Sequence, residues 1–328
     1  MSPSQAQSLP PPPGPADDRD VTEMDVISFG SVFLEIVFGH LERLPLPGEE
    51  IYVDPFAFSC GGAVTIAVAA SRAGATAGLA TLLGDDLGSR LVVEHSLCEG
   101  VDLSPSHRVT GPVVGITVVL NFNRDRAFIS HMPPKPSGLG PEVERWLEVL
   151  KRVRPAWCYV HAGPGVADFL GQARALGTRV ALDLNFGVID DHPDEVVRCA
   201  RLADVFLPNE EELLRLTRSE DLGEAIALAA SWCPRVVVKL GPAGAIGVER
   251  GKSTEVTEGL EDVVARDRTG AGDAFAGAMI GTLVRGAGLL EAVAAGNAAG
   301  SKAVARLGAA GEVLVQEKTP VRGKEHRL

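Results

Sequence analysis

The residues with the clearest chemical potential form the run Asp-Arg-Thr-Gly-Ala-Gly-Asp at 267–273, directly before an apolar segment at 274–280. The glycines at 270 and 272 allow a tight turn into a helix, whose first backbone N–H groups lack partners and form an anion site. Asp273 lies in the first turn of that helix. A carboxylate repels a bound anion, so its presence is better explained as a base that takes a proton from an attacking hydroxyl. Helix capping is the other interpretation, and spacing alone leaves both open.

The segments that must position this turn alternate between two patterns. Short apolar, β-branched runs predict strands at 26–29, 79–83, 157–160, 179–184, 205–207 and 235–240. Helix-compatible segments separate most of them, such as the Ala-rich segment 62–73. This alternation predicts an α/β fold with a central, mostly parallel sheet and helices on both faces. In such sheets ligands bind beyond the carboxyl ends of the strands.

Two segments, at about 34–58 and 112–132, break the alternation. Each contains strand-like runs around a turn signal, Pro-Leu-Pro-Gly at 45–48 and Asn-Arg-Asp at 123–125. They predict antiparallel hairpins outside the main sheet that form a small β lid, although hairpins could also extend the sheet edge. Residues 1–21, with prolines at 10–13, predict a disordered tail, which leaves 22–328 as a single domain.

Bulk properties exclude several classes of protein. The 328 residues are 45% hydrophobic and carry a formal net charge of -12, which argues against a nucleic-acid partner. The five cysteines lack CxxC spacing and are expected to be reduced core thiols in a cytoplasmic protein. No apolar run reaches the ~18 residues of a membrane helix, and no signal peptide is visible, so no membrane association is expected.

The run at 267–273, with the Ala-Phe that follows it, resembles the C-terminal signature of the ribokinase-like (PfkB) carbohydrate and nucleoside kinases. The resemblance covers nearly the whole chain after the tail. It implies a ribokinase-like, Rossmann-like three-layer fold and transfer of a phosphoryl group from ATP to a hydroxyl. It also implies that Asp273 is the catalytic base and that the amides of Gly270, Ala271 and Gly272 form the anion hole.

The nucleotide side of the resemblance rests on two further motifs. Asn209 and Glu212 match an Asn-x-x-Glu motif, which implies that they organise Mg²⁺ and phosphate, mostly through water. A solvated acidic first helical turn is the structural alternative for 210–212. The resemblance assigns the nucleotide to the residues Thr269, Lys239, Gly241, Gly244 and Asn297. It also suggests a monovalent cation such as K⁺ near Asp267.

The acceptor side departs from the family pattern. The resemblance implies an acceptor site formed by Glu35, Gly61, Gly62, Thr65 and Asp183. Phe33 and Glu35 replace the usual Asn and Asp, and Thr65 replaces an Asn, one residue closer to Gly62 than in the family pattern. Gly187 replaces an Arg, and Lys239 replaces a Thr. The donor half of the site is therefore well matched, whereas the acceptor is unassigned.

Three functions remain open: a sugar kinase, a nucleoside kinase and a catalytically silent sugar or nucleoside sensor on the same scaffold. The chain has no P-loop, no Gly-x-Gly-x-x-Gly after its first strand, no HExxH and no Gly-x-Ser-x-Gly motif. His161, at the end of a predicted strand, is better explained by a satisfied strand-end histidine than by an acceptor contact. The resemblance also suggests a homodimer formed through the lid, with contacts in 35–38 and 113–120.

Overall fold

The computed structural model describes residues 23–122, 126–135, 141–250, 255–259, 263 and 265–311. The strands are β1 Val26–Phe29, β2 Val32–Leu41, β3 Phe56–Gly62, β4 Ala77–Ala80, β5 Leu82–Leu83, β6 His107–Arg108, β7 Gly115–Phe122, β8 Arg126–His131, β9 Trp157–His161, β10 Arg179–Asp183, β11 Val205–Phe206, β12 Arg235–Lys239, β13 Ala245–Glu249 and β14 Glu255–Thr257. The helices are α1 Ala63–Arg72, α2 Leu87–Cys98, α3 Glu142–Val153, α4 Val166–Ala175, α5 Phe186–Asp191, α6 Pro193–Leu202, α7 Glu210–Thr217, α8 Leu222–Trp232, α9 Ala271–Val284 and α10 Leu289–Val304.

The main sheet has eight strands in the order β14-β13-β12-β11-β10-β9-β1-β4. The six strands from β12 to β4 are parallel, and β13 and β14 continue the sheet as an antiparallel edge. Parallel strands need crossover connections, which the intervening helices supply. The predicted α/β fold with a mostly parallel sheet is confirmed.

Helices cover both faces of this sheet and give three layers. One face packs against α1, α9 and α10, with Phe275, Met279 and Val293 in the core. The opposite face packs against α3, α4, α6, α7 and α8, with Leu150 and Phe169 in the core. Helices α1 and α9 approach closely because Gly277 lacks a side chain: a Cβ there would lie 2.3 Å from the Ile66 carbonyl oxygen.

Most of the predicted strands form within one or two residues of their expected bounds. The strand expected at 79–83 is the exception, because β4 spans Ala77–Ala80 and only Leu82–Leu83 continue, in a separate two-stranded sheet with β6. The reason is the length of its partner. Strand β1 pairs residue for residue with β4 and ends at Phe29, so the ladder cannot extend past Ala80.

A second sheet, in the order β3-β2-β7-β8, lies apart from the main sheet. Its β2–β3 and β7–β8 pairs are antiparallel, as predicted, and the two hairpins are joined through a parallel β2–β7 pair that the sequence did not predict. The turn expected at 123–125 and the tail expected at 1–21 lie outside the described residues.

Two further sequence expectations can be compared with the structure. Four of the five cysteines are buried free thiols, as expected, but Cys98 is exposed at the end of α2, so the core prediction is wrong for that residue. Within the described ranges, no helix is both long and apolar enough to cross a bilayer.

Candidate active site

The carboxyl ends of four neighbouring strands bring polar side chains to one edge of the main sheet. His161 ends β9, Asp183 ends β10, Asn209 follows β11 and Lys239 ends β12. Asn209 forms a parallel bridge with Lys239, and Asp183 is in register with His161. This is the edge at which open α/β sheets bind ligands.

A buried ion pair dominates this edge. Lys239 Nζ lies 2.9 Å from Asp183 Oδ1 and 2.8 Å from Oδ2, and the two side chains are only 15% and 3% exposed. Burial opposes the charge on Lys239, but Asp183 and Glu212 outweigh that effect and raise the pKa of the ammonium. Lys239 therefore remains protonated inside the site, paired with Asp183.

Tyr159 and His161 complete the surroundings of Asp183. The Tyr159 hydroxyl donates to Asp183 Oδ2 at 3.1 Å and lies 3.3 Å from His161 Nε2. Burial lowers the pKa of His161 and favours its neutral form. His161 thus has a protein partner, in agreement with the satisfied strand-end histidine that the sequence favoured. Tyr159 was missed, although its position two residues before His161 places both on one face of β9.

Asn209 and Glu212 form a capping box at the start of α7. Asn209 Oδ1 accepts from the Glu212 N–H at 2.8 Å, and Glu212 Oε2 accepts from the Asn209 N–H at 2.8 Å. Glu212 is only 5% exposed, so a solvated acidic turn is the wrong description for this residue. Burial raises the pKa of Glu212, and Lys239 opposes the shift. The Asn-x-x-Glu spacing itself could have predicted the capping box.

The turn at 270–273 has the predicted form. Gly270 is the N-cap of α9 at φ 71°, and its carbonyl accepts the first helical N–H, from Ala274, at 2.8 Å. The Ala271 N–H donates to the Arg268 carbonyl at 3.4 Å, and the next amides of the first turn have no partner within the helix. Asp273 lies in this turn, where burial and the nearby carboxylates of Asp183 and Glu35 raise its pKa to about 7, against the opposing effect of Lys239.

Asp267 holds the turn in place through backbone hydrogen bonds. Its buried carboxylate accepts from the Thr269 N–H at 2.9 Å and from the Gly308 N–H at 2.8 Å. Ala309 packs on the turn at 270–273, since a Cβ at Gly270 would lie 2.3 Å from the Ala309 Cβ. The segment 304–311 was not predicted to be part of the site, and no local pattern in it signals this contact.

Glu35 reaches the same segment from β2. Its Oε2 accepts from the Ala309 N–H at 3.2 Å, and its Oε1 lies so close to Gly61 that a Cβ there would clash at 2.2 Å. Burial raises the pKa of Glu35 to about 7, while the charge of Arg126 on β8 lowers it. Glu35 thus brings the second sheet into electrostatic contact with Asp273 and the turn at 270–273.

The other predicted acceptor residues lie around the start of α1. Gly62, at φ 76°, is the N-cap of α1, and a Cβ there would lie 2.4 Å from the Ser31 carbonyl oxygen and 3.2 Å from the Phe33 ring. Thr65 Oγ1 lies 3.5 Å from the Cys60 carbonyl oxygen. Thr65 also faces a cavity of about 600 Å³ between α1, α9 and α10, whose lining does not include Asp273.

The predicted nucleotide residues lie along the antiparallel end of the sheet. A short 3₁₀ turn, Gly241–Ala243, follows Lys239, and Gly244 at φ 93° closes it. Asn297 Nδ2 donates to the carbonyls of Thr257 at 3.0 Å and Glu258 at 3.2 Å, which ties α10 to the loop after β14. Thr269 is buried, and its hydroxyl has no hydrogen-bond partner among the described residues.

The structure thus brings four predicted residues into one electrostatic cluster: Asp183, Glu212, Lys239 and Asp273. Within the described ranges, no group of three or more His, Cys, Asp or Glu side chains forms a preformed metal cage.

Comparisons with known proteins agree with this geometry. Residues 24–314 match the family model described as pfkB family carbohydrate kinase. The chain is 27% identical to aminoimidazole riboside kinase of Salmonella typhimurium over 76% of this chain and 82% of that protein. It is 30% identical to fructoselysine 6-kinase of Escherichia coli, over 77% of this chain and 92% of that protein.

Solved structures show the same fold. The Arabidopsis thaliana ribokinase complexed with ribose and ATP is 24% identical, with a TM-score of 0.71 over 88% of this chain and 95% of that chain. A putative ribokinase II of E. coli in complex with ATP and Mg²⁺ is 22% identical, with a TM-score of 0.75 over 88% and 96% of the two chains. On the family match and the kinase relatives, the chain belongs to the pfkB family of carbohydrate kinases.

Proposed function

We propose that this protein transfers the γ-phosphoryl group of ATP to a hydroxyl of a sugar or a nucleoside. The observation that carries the proposal is the position of Asp273 in the first turn of α9, directly after the Gly270 N-cap and the backbone of 271–272. A carboxylate next to an anion site suits a base that acts on the hydroxyl attacking the bound phosphoryl group.

The chemistry of the chain's own residues follows from this arrangement. Asp273 takes the proton of the acceptor hydroxyl as the hydroxyl oxygen attacks the γ-phosphorus. The amides of Gly270, Ala271 and Gly272, aided by the α9 dipole, stabilise negative charge on the transferring group. The electron pair of the broken bond leaves on the β-phosphate oxygen of ADP.

The nucleotide would lie along β12, β13 and the part of α10 around Asn297. Lys239 supplies a cation at the phosphates, while Gly241 and Gly244 let the backbone after β12 approach the nucleotide closely. Asn297 fixes the loop at 257–258 on this side. The unpartnered hydroxyl of Thr269 is a candidate donor to a phosphate oxygen.

The residues at 209–212 fit a magnesium ion held through water. The capping box uses one carboxylate oxygen of Glu212 and leaves Oε1 without a hydrogen-bond partner among the described residues, while Glu212 stays buried at this edge of the sheet. Bound there with Asn209 and Glu212, Mg²⁺ would neutralise charge on the phosphates.

We also propose a monovalent cation, K⁺ in the first instance, beside Asp267. Each carboxylate oxygen of Asp267 accepts one backbone N–H and retains a second lone pair that a cation could use. Turnover measured in K⁺ and in tetramethylammonium salts at equal ionic strength tests this point.

The acceptor site is proposed from Gly61, Gly62, Glu35, Thr65 and Asp183. The curated relatives act on an aminoimidazole riboside and on fructoselysine, so sugars and nucleosides are both kept as acceptor classes. A silent sensor is the alternative, because Phe33 and Glu35 depart from the family pattern.

An acceptor panel distinguishes these possibilities. Formation of ADP from ATP and Mg²⁺ would be measured with pentoses, hexoses, sugar acids, inositols and nucleosides. We expect at least one compound to raise the rate well above the rate with water alone. Binding of a sugar or nucleoside with no acceptor-dependent ADP formation would support the sensor instead.

We propose that the second sheet is a lid that also forms a homodimer in the cytoplasm, where ATP is available. Its outer face, opposite Glu35, carries exposed or half-buried apolar residues, among them Ile36, Phe38, Ile116 and Ile129, and Ile129 is 64% exposed. We expect a dimer mass by light scattering at micromolar concentration and a monomer for Ile129→Glu. A monomeric parent protein would contradict this proposal.

Activity should depend on pH through Asp273. Because its pKa is raised to about 7 and the base must be ionised, we expect kcat/KM to fall about tenfold per unit below pH 7. Asp183→Asn removes a negative charge near Asp273 and leaves the positive charge of Lys239 unpaired. Both effects lower the pKa of Asp273. The acid midpoint of the pH profile of kcat/KM should therefore move to lower pH, even if the maximal kcat/KM of the variant also changes.

Asp168→Asn is the matched control for this shift, because Asp168 lies exposed on α4 with Arg198 as its partner. It should leave the midpoint unchanged. An Asp183→Asn midpoint at the wild-type pH, or above it, would show that these carboxylates do not set the charge state of the base.

A further inference from the structure

Lys239 carries the ammonium group that lies next to the catalytic turn. A Cβ built on Gly272 would lie 3.6 Å from Lys239 Nζ. In an α-helix the Cα–Cβ bonds tilt toward the N-terminus, the direction in which the first free N–H groups also point. The ammonium therefore lies at the N-terminal end of α9, on the side where an anion would be held.

This position is electrostatically unusual. A helix N-terminus carries a partial positive charge, so a lysine there is unfavourable unless an anion lies between the two. Asp183 fills that role in this structure, with both carboxylate oxygens within 2.9 Å of Nζ. Asp183 is held in turn by the Tyr159 hydroxyl at 3.1 Å and by the Leu184 N–H at 2.8 Å.

The charges around Lys239 are mostly negative, so a nucleotide that enters the site requires a positive group to neutralise its phosphates. Asp183, Glu212 and Asp273 all act on the ammonium, so the described cluster has three carboxylates and one cation. An entering triphosphate adds further negative charge. The ammonium is the one positive side chain of this described cluster that can meet it, because its partner Asp183 remains stabilised by Tyr159 and Leu184.

We propose that Lys239 exchanges Asp183 for the γ-phosphoryl group of ATP and contacts that group during its transfer. The proposal rests on the proposed function, since it assigns the transferring group to the anion site beside Asp273. The bond formed joins the acceptor oxygen to the γ-phosphorus, and the bond broken joins that phosphorus to the bridging oxygen. The acceptor proton goes to Asp273, and Lys239 neither gives nor takes a proton.

The location of the base indicates that Lys239 contacts the γ-phosphoryl group and not the α or β phosphate. Asp273 must reach the hydroxyl that attacks the γ-phosphorus, so the phosphate held by the amides at Gly272 is the transferring one. Lys239, beside the same amides, acts as a side-chain donor in that anion hole. A Thr, usual at this position in the family, supplies no charge.

The competing interpretation is that Lys239 only balances the buried charge of Asp183. Removing one member of a buried ion pair leaves the other uncompensated, so a single variant can lose activity through instability. The double variant Lys239→Met with Asp183→Asn removes both charges. It should therefore be more thermally stable than Lys239→Met alone.

The test measures binding of ATP and of ADP, each with Mg²⁺, to the full-length chain. The proteins are wild type, Asp183→Asn, Lys239→Met, Lys239→Arg and the double variant, with Lys151→Met on the exposed face of α3 as control. We expect Lys239→Met to weaken ATP binding at least ~10-fold more than ADP binding and to lower kcat by ~10²-fold or more. Lys239→Arg should recover part of both losses.

The outcomes distinguish the Lys239–phosphoryl contact from the kinase function itself. An ATP-specific loss in the double variant relative to Asp183→Asn supports the phosphoryl contact. Recovery of ATP affinity in the double variant, or an unchanged ratio of ATP to ADP affinity in Lys239→Met, overturns it while leaving the kinase function intact. A wild-type protein that binds neither nucleotide would instead contradict the proposed function itself.

Discussion

Asp273→Asn is expected to lower kcat by about 10²- to 10⁴-fold while leaving ATP affinity within a few-fold of wild type. The amide keeps the size and hydrogen-bonding reach of the carboxylate but cannot accept the acceptor proton. Because Asn carries no charge, its repulsion of the bound phosphates also disappears, so nucleotide binding has no reason to weaken. Steady-state turnover and calorimetric titration with ATP and Mg²⁺ measure the two quantities separately.

The same variant distinguishes a base from a purely structural carboxylate. The N-cap of α9 is Gly270 and no side chain caps it, so the helix-cap interpretation of Asp273 is wrong. An Asp273 that served only the structure of the first turn would predict little change in kcat for Asn, which has the same size. The Asp168→Asn protein serves as the control for a carboxylate in the first turn of another helix, α4. A loss of turnover shared by both variants would point away from general-base catalysis.

Gly270→Ala is expected to disable the site through the geometry of the turn. Gly270 has φ 71°, and an added Cβ would lie 2.3 Å from the Ala309 Cβ and 2.5 Å from its Cα. Left-handed strain and overpacking together should lower the free energy of unfolding by about 2–4 kcal/mol. Displacement of the anion-hole amides should reduce turnover at least ~10²-fold in protein that remains folded.

Gly288→Ala is the matched control for this substitution. Gly288 is also an N-cap glycine, at the start of α10, but its φ is -71° and no atom lies within 4 Å of an added Cβ. Its effect on unfolding in urea should stay below ~1 kcal/mol, with turnover near wild type. Equal losses in the two variants would mean that the Ala309 contact does not determine the turn.

The parts of the site that follow from local sequence could be predicted. The glycines before an apolar helix determine the turn at Asp273, and the β-branched runs determine the strands whose ends carry Asp183 and Lys239. Local patterns of this kind depend on hydrogen bonding and φ preferences within a few residues. They gave the parallel sheet and the donor side of the site.

The parts that depend on distant contacts could not be predicted. Glu35 accepts a hydrogen bond from Ala309, 274 residues away in the chain, and Asp183 pairs with Lys239 across 56 residues. The parallel β2–β7 pair likewise depends on how two hairpins meet, which their own turns do not determine. These contacts decide which groups face the acceptor, so local sequence patterns leave the acceptor unassigned.

Glu212 shows how the two kinds of information combine. Its spacing from Asn209 is that of a capping box, which is a local signal, whereas its burial beside Lys239 arises from the packing of α7 on the sheet. The capping box still leaves one carboxylate oxygen for the phosphate side. A structural role at the helix start and a proposed role toward Mg²⁺ are therefore compatible in this residue.

The most direct test of the central claim follows the γ-phosphoryl group itself. The full-length protein would be incubated with γ-labelled ATP, Mg²⁺ and each compound of the acceptor panel, and the products would be separated. We predict that the label appears on a hydroxyl of one sugar or nucleoside and that Asp273→Asn transfers it at least ~10²-fold more slowly. Label released only as inorganic phosphate with every compound, or transferred equally fast by Asp273→Asn, would contradict the account.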